Sequence, residues 1–127
     1  TRYWLEAANM DVQSALLLCN NEGLTPVVCF HSQQAVEKSL KALFEENNVK
    51  IPKIHSTVHL YSQIKAFVDI QVDIEMLSDI DDVYIDSRYP GDSGLLPDGA
   101  PTLEDAKEFY EFAKSVYERV VEFIERG

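Results

Sequence analysis

Between Phe30 and Phe44 the chain reads Phe30-His31-Ser32-Gln33-Gln34-Ala35-Val36-Glu37-Lys38-Ser39-Leu40-Lys41-Ala42-Leu43-Phe44, and further on it reads Ser87-Arg88-Tyr89-Pro90. At the helical period Gln34, Glu37 and Lys41 share one narrow stripe, and Phe30 and Phe44 extend that stripe at its two ends. A stripe flanked by phenylalanines is half buried rather than solvated, so an amide, a carboxylate and an ammonium group form the lip of a polar cleft. Arg88 and Tyr89 are the natural second wall. A guanidinium binds phosphate or carboxylate through two parallel hydrogen bonds, and a phenol ring stacks on a base. His55 precedes a helix start, where free backbone N–H groups attract anions. The candidate ligand-binding residues are therefore Gln34, Glu37, Lys41, His55, Arg88 and Tyr89.

Each of these residues also admits a purely structural role. Glu37 and Lys41 are an i,i+4 pair in the favourable order, which stabilises an exposed helix by about 0.3–0.5 kcal/mol, and a polar network could hold Gln34, Glu37 and Lys41 against a neighbouring helix. Arg88, at a helix end, could pair with the last carbonyls and with Asp86 or Asp92. His55 could cap the helix that follows it. His31 and His59 read as surface residues. Asp79, Asp82 and Asp86 recur at helical spacing, but no histidine or second carboxylate helix completes a metal site, so the row reads as a solvated face that could meet a basic partner. No metal and no cofactor is expected.

Those side chains must be placed by helices. Trp4, Ala8, Ala15 and Leu18 recur at helical spacing up to about Asn21, and Gly23 breaks the segment. Thr25-Pro26 opens a second helix, with Thr25 as N-cap and proline in the first turn, running to about Asn47. Its apolar arc is wide, taking in Val28, Cys29, Val36, Leu40 and Leu43 beside small Ala35 and Ala42, which predicts a central position. Pro52 makes residues 49–55 a connection. Ser56 or Thr57 caps a short third helix carrying Val58, Tyr61, Ile64 and Phe67. A fourth, from about Asp73 to Arg88, turns Ile74, Leu77, Ile80 and Tyr84 inward. Pro90, Gly91, Gly94, Pro97, Gly99 and Pro101 mark a long loop. Thr102, with Asp105 three residues on, starts the last helix, whose inner face is Ala106, Phe109 or Tyr110, Ala113, Val116 or Tyr117, Val120 and Ile124. Trp4, Phe109 and Tyr117 read as core. No stretch alternates long enough for a sheet, so the expected fold is all-α, an up-and-down antiparallel bundle of four to five helices.

With 127 residues and 46% hydrophobic content the chain is sized for one domain spanning residues 1–127. Cys19 and Cys29 fall in apolar helical contexts and read as free buried thiols of a reducing compartment. No run is long and apolar enough for a membrane span, no signal segment opens the sequence, and a cytoplasmic location is expected. The sequence begins at Thr1 without a methionine, so a few residues are expected to precede it. A net charge of −11 opposes an extended nucleic-acid surface or an anionic membrane. The charge is uneven, because residues 69–111 hold thirteen acids against only Arg88 and Lys107, while Lys38, Lys41, Lys50 and Lys53 cluster earlier.

Trp4 with Ala7 and Asp11, then Phe30, Gln34, Glu37-Lys38 and Leu40-Lys41-Ala42-Leu43, then His55 before Leu60, then Tyr84 and Ser87-Arg88-Tyr89-Pro90, resemble the prokaryotic HEPN domain from about Trp4 to Ile124. The resemblance implies a helical bundle that forms a homodimer and pairs with a small nucleotidyltransferase. It also implies one of two activities, binding of a nucleotide or metal-independent RNA cleavage, in toxin–antitoxin or defence systems. The RNase branch carries an arginine followed four to six residues later by a histidine, and this sequence does not. The arginine ahead of His31, His55 and His59 is the distant Arg2, and no histidine follows Arg88; a substitute built from His55 and Arg88 is the remaining route to that chemistry. The first expectation is a non-catalytic module that binds a nucleotide or phosphorylated small ligand, and the alternative is an RNase toxin with an atypical site.

Overall fold

The computed structural model describes the backbone of residues 1–88 and 101–127 and the side chains of 1–84 and 101–127. Five α-helices pack antiparallel: α1 Arg2–Leu18, α2 Thr25–Glu46, α3 Thr57–Ile64, α4 Ile74–Arg88 and α5 Leu103–Arg126. Among the described residues there is no strand, as the missing two-residue alternation predicts. The loop expected from Pro90 onwards lies outside the described residues as far as Ala100.

Helix α2 is the axis of the bundle and packs against each of the other four helices. Its wide apolar arc explains the position: Val28, Cys29, Ala35, Val36, Leu40, Ala42 and Leu43 are all fully buried, and Phe44 is 1% exposed. Each fully buried valine, leucine or phenylalanine among them contributes about 1.5–3 kcal/mol of transfer free energy. Asn48 adopts a left-handed φ of 57° just beyond the helix, and the Val49 N–H donates to the Phe44 carbonyl at 2.8 Å, which ends α2 as such a residue ends many helices.

Thr25 does not cap α2. A short 3-10 turn, Glu22–Leu24, with Asn21 as its cap, runs directly into the helix, so Thr25 already has φ −56° and ψ −40°. An N-cap needs extended backbone to swing its oxygen over the first turn, and Thr25 has helical backbone. Leu24 occupies the cap position instead, and the Thr25 hydroxyl is buried without a hydrogen-bond partner among the described residues.

At the start of α3, Ser56 is the cap, accepting from the His59 N–H at 3.2 Å. Tyr61 and Ile64 are buried, but Phe67 is 61% exposed because α3 ends at Ile64 and the chain turns before reaching it. Ile74, the first residue of α4, is likewise exposed rather than inward, whereas Leu77, Ile80 and Tyr84 are buried. The connection between them is pinned by Tyr61, whose hydroxyl donates to the Ile70 carbonyl at 2.9 Å and accepts the Val72 N–H at 3.3 Å.

Helix α5 opens with the expected Thr102–Asp105 capping box. Its open alternatives resolve to Phe109 and Val116, which are buried, while Tyr110 and Tyr117 lie half buried at the core edge. Trp4 is also half buried, and Ile124 sits at the margin of the core. Cys19 and Cys29 are free buried thiols. Among the described residues no helix is long and apolar enough to cross a membrane.

Candidate functional site

The stripe of α2 is buried more deeply than its sequence suggests. Glu37 is 4% exposed and Lys41 7%, while Gln34 is half buried. Lys41 Nζ donates to Glu37 Oε2 at 3.0 Å and lies 5.7 Å from the centre of the Trp4 ring, so α1 supplies an aromatic face for the cation. The pair is thus an internal ion pair, not an exposed i,i+4 contact.

Glu37 is the hub of what surrounds it. Its Oε1 accepts from Gln33 Nε2 and from Gln34 Nε2, each at 3.4 Å, and both carboxylate oxygens stand 3.2 Å from His55 Nδ1. A carboxylate only accepts, so the imidazole proton sits on Nδ1 and Nε2 is left as the outer nitrogen. Gln33, fully buried, also donates to the His55 carbonyl at 2.8 Å and accepts from Gln34 at 2.9 Å. The loop before α3 is therefore tied to the middle of α2 through one amide.

Four of the six expected residues, Gln34, Glu37, Lys41 and His55, form this one network. Arg88 is the last residue of α4, and its side chain and Tyr89 lie outside the described residues. Tyr84 adds an aromatic ring beside the network, its centre 5.6 Å from that of Phe30, on which it stacks, and 6.2 Å from that of His55.

Two features escape the sequence reading. Asp11 of α1 is 7% exposed and binds two side chains of α2: Lys38 Nζ at 2.8 Å and His31 Nδ1 at 2.9 Å. His31 is thus not a bare surface residue. The available signal was the position of Asp11 among Ala8, Val12 and Ala15, an acid on the buried face of a helix, which must find a cation. The second feature is Asp81. Its carboxylate takes the Thr57 and Val58 N–H groups at 3.0 and 3.1 Å, the Ser56 hydroxyl at 3.1 Å and the Thr57 hydroxyl at 2.8 Å. The anion site anticipated beside His55 exists, but α4 fills it with the protein's own carboxylate. His55 neither caps α3 nor reaches those N–H groups, because it is turned toward Glu37.

Neither network resembles a metal centre, and among the described residues no cluster of His, Cys, Asp or Glu is arranged to hold one. What the arrangement can do is present His31, Gln34, Lys38 and His55 along one side of α2, above two buried carboxylates and beside the Phe30–Tyr84 stack.

The HEPN domain profile matches residues 1–124, and the chain belongs to this family. Two solved structures are similar over nearly their whole lengths. TT1696 from Thermus thermophilus has a TM-score of 0.79 and 28% identity, covering 95% of each chain. The archaeal HEPN homologue ST0689 has a TM-score of 0.74 and 26% identity, covering 97% of this chain and 96% of that one. A search of the curated proteins gave no match.

Proposed function

We propose that this HEPN protein, a single domain over residues 1–127, is a non-catalytic binding module for a nucleotide or phosphorylated small ligand. It works in the cytoplasm as a homodimer with a partner nucleotidyltransferase, in a toxin–antitoxin or defence setting. The observation that carries the reading is the convergence of the Glu37–Lys41–His55 network and the Asp11–Lys38–His31 network on one side of α2. A phosphate arriving there competes with Glu37 and Asp11 for cations already held in position, and the reading gives Arg88 the role of a bidentate phosphate contact. The rings of Phe30 and Tyr84 border the site, and the reading gives Tyr89 the role of stacking on a base.

Binding is expected to depend on phosphate and to weaken with salt. Nucleoside mono-, di- and triphosphates tested by thermal shift give the measurement: at about 100 times its dissociation constant a ligand stabilises the fold by roughly 2.7 kcal/mol. Arg88→Ala should abolish the shift and leave the unliganded melting temperature nearly unchanged. If Arg88→Ala instead destabilises the free protein by several kcal/mol while no nucleotide shifts the wild type, the arginine is a structural clamp and the reading fails.

One observation favours the rival reading of a metal-independent RNase. The Glu37–His55 pair has the form of an oriented general base, with Nε2 on the exposed side. The missing arginine-to-histidine spacing argues against it. RNA turnover that survives a metal chelator and disappears in His55→Ala would establish the enzyme and overturn the binding module.

A further inference from the structure

A groove of about 400 Å³ lies between α3 and α4 and shares His55 and Tyr84 with the site described above. We propose that this groove docks a basic segment of a partner protein, receiving an arginine or lysine side chain beside an apolar one. The inference goes beyond the ligand-binding reading and does not depend on it.

The walls are mostly carbon, built from Val58 on α3 and the Tyr84 ring on α4. The rim is acidic. Asp82 is exposed and its carboxylate has no partner among the described residues, and Asp79 and Glu75 continue the same row one and two turns earlier on α4. Asp81 adds charge from within: all four of its hydrogen-bond donors are neutral N–H or O–H groups, so its negative charge is spread over the start of α3 but is not matched by a cation. An apolar slot with an anionic rim suits a side chain that has a hydrocarbon stem and a cationic head. The volume lies toward the lower end of the roughly 300–1,000 Å³ typical of small-ligand pockets, enough for one or two side chains and too little for a whole helix.

Charge selects the occupant. Glu75, Asp79 and Asp82 along α4, with Asp81 behind them, and a net charge of −11 for the chain, repel nucleic acid, anionic lipid and a second copy brought in on this face. A basic polypeptide segment is attracted by the same field and filled out by the apolar walls, and complementarity of this kind sets partner choice more than raw affinity.

The test uses fluorescence anisotropy with a labelled hexapeptide alternating leucine and arginine, set against one alternating leucine and glutamate. The arginine peptide should bind and the glutamate peptide should not. Asp82→Lys should weaken binding about tenfold or more, whereas Glu111→Lys, the same charge change on exposed α5, should weaken it less than about twofold. Val58→Thr, which keeps the volume and removes apolar contact, should also weaken it, and Asp82→Asn gives a milder version of the charge change. Equal effects of Asp82→Lys and Glu111→Lys would mean diffuse attraction to an acidic protein and would overturn the proposal. So would displacement of the peptide by spermine with no dependence on Val58, which marks a polyamine site, or a change in self-association in Asp82→Lys, which marks an interface between copies.

Discussion

Lys41 Nζ stands 3.0 Å from Glu37 Oε2 with both side chains out of water, 9% and 5% exposed. Removing one partner of such a pair leaves the other buried and uncompensated, which costs about 3–5 kcal/mol, whereas replacing both by apolar groups of similar volume is often close to neutral. Glu37 is also the acceptor for Gln33, Gln34 and His55, so its loss strands more donors than the loss of Lys41.

Glu37→Ala is therefore expected to destabilise the protein by about 3–5 kcal/mol, and Lys41→Met by less, because the carboxylate keeps its other donors. The double variant Glu37→Met with Lys41→Met should recover part of the loss. Urea denaturation of the three variants measures this. Costs below about 1 kcal/mol for Glu37→Ala would mean that the pair is hydrated in solution.

A second prediction concerns Asp81. Because it bonds the first two N–H groups of α3 and two hydroxyls, Asp81→Ala should cost about 2–4 kcal/mol, combining a lost cap with lost charge-assisted bonds. Asp81→Asn, which keeps an acceptor, should cost less. Hydrogen exchange should show the loss concentrated in α3, since α2 and α5 draw their stability from the central core. Uniform loss of protection would show that α3 unfolds only with the whole molecule.

The bundle was legible because its signals are local and redundant. The apolar arc of α2, Pro52, Ser56 and the Thr102–Asp105 box each mark an element without knowledge of the others. The site was legible along α2, where Gln34, Glu37 and Lys41 sit at one helical register, and at His55, although the sequence does not encode that His55 turns to Glu37 rather than to the start of α3. Asp11 with His31 and Lys38, and Asp81 with Thr57 and Val58, are pairings across many residues, and no periodicity encodes which helix an acid will meet. Thr25 departs from expectation for a different reason: Ser, Thr, Asn or Asp before a helix is a propensity, and the 3-10 turn ahead of it sets helical backbone at that position. Phe67 fits the period of α3 but falls beyond its end at Ile64, and Ile74 fits the inward register of α4 but, as its first residue, faces solvent.

Cys29 provides a pH-dependent test. Burial, with Asp105 adding negative charge nearby, pushes its thiol from 9.0 up to about 12. The folded state thus holds the proton where the unfolded chain releases it. The stabilisation is complete below pH 9 and is lost as pH rises toward 12. Denaturation curves should therefore show stability falling above pH 9, with a shallower fall in Cys29→Ala. Iodoacetamide at neutral pH should label Cys29 only when the protein is unfolded, since the thiolate is the reactive form. Rapid labelling of the native protein would contradict the burial.

The homodimer proposed above has a candidate surface on α1. Tyr3, Met10 and Leu17 are spaced seven residues apart and are 72%, 71% and 84% exposed, a narrow apolar stripe along one helix. Residues seven apart drift by only about 20° around a helix, so the three side chains point the same way and can meet their own copies across a two-fold axis. A charge in the middle of that stripe would be buried in the dimer and solvated in the monomer. Met10→Asp should accordingly dissociate the dimer while changing monomer stability by less than about 0.5 kcal/mol, as expected for an exposed position. Met10→Leu should leave the assembly intact. Sedimentation equilibrium at micromolar concentration distinguishes the two variants. A wild type that sediments only as monomer removes the homodimer, and a dimer untouched by Met10→Asp moves its interface off α1.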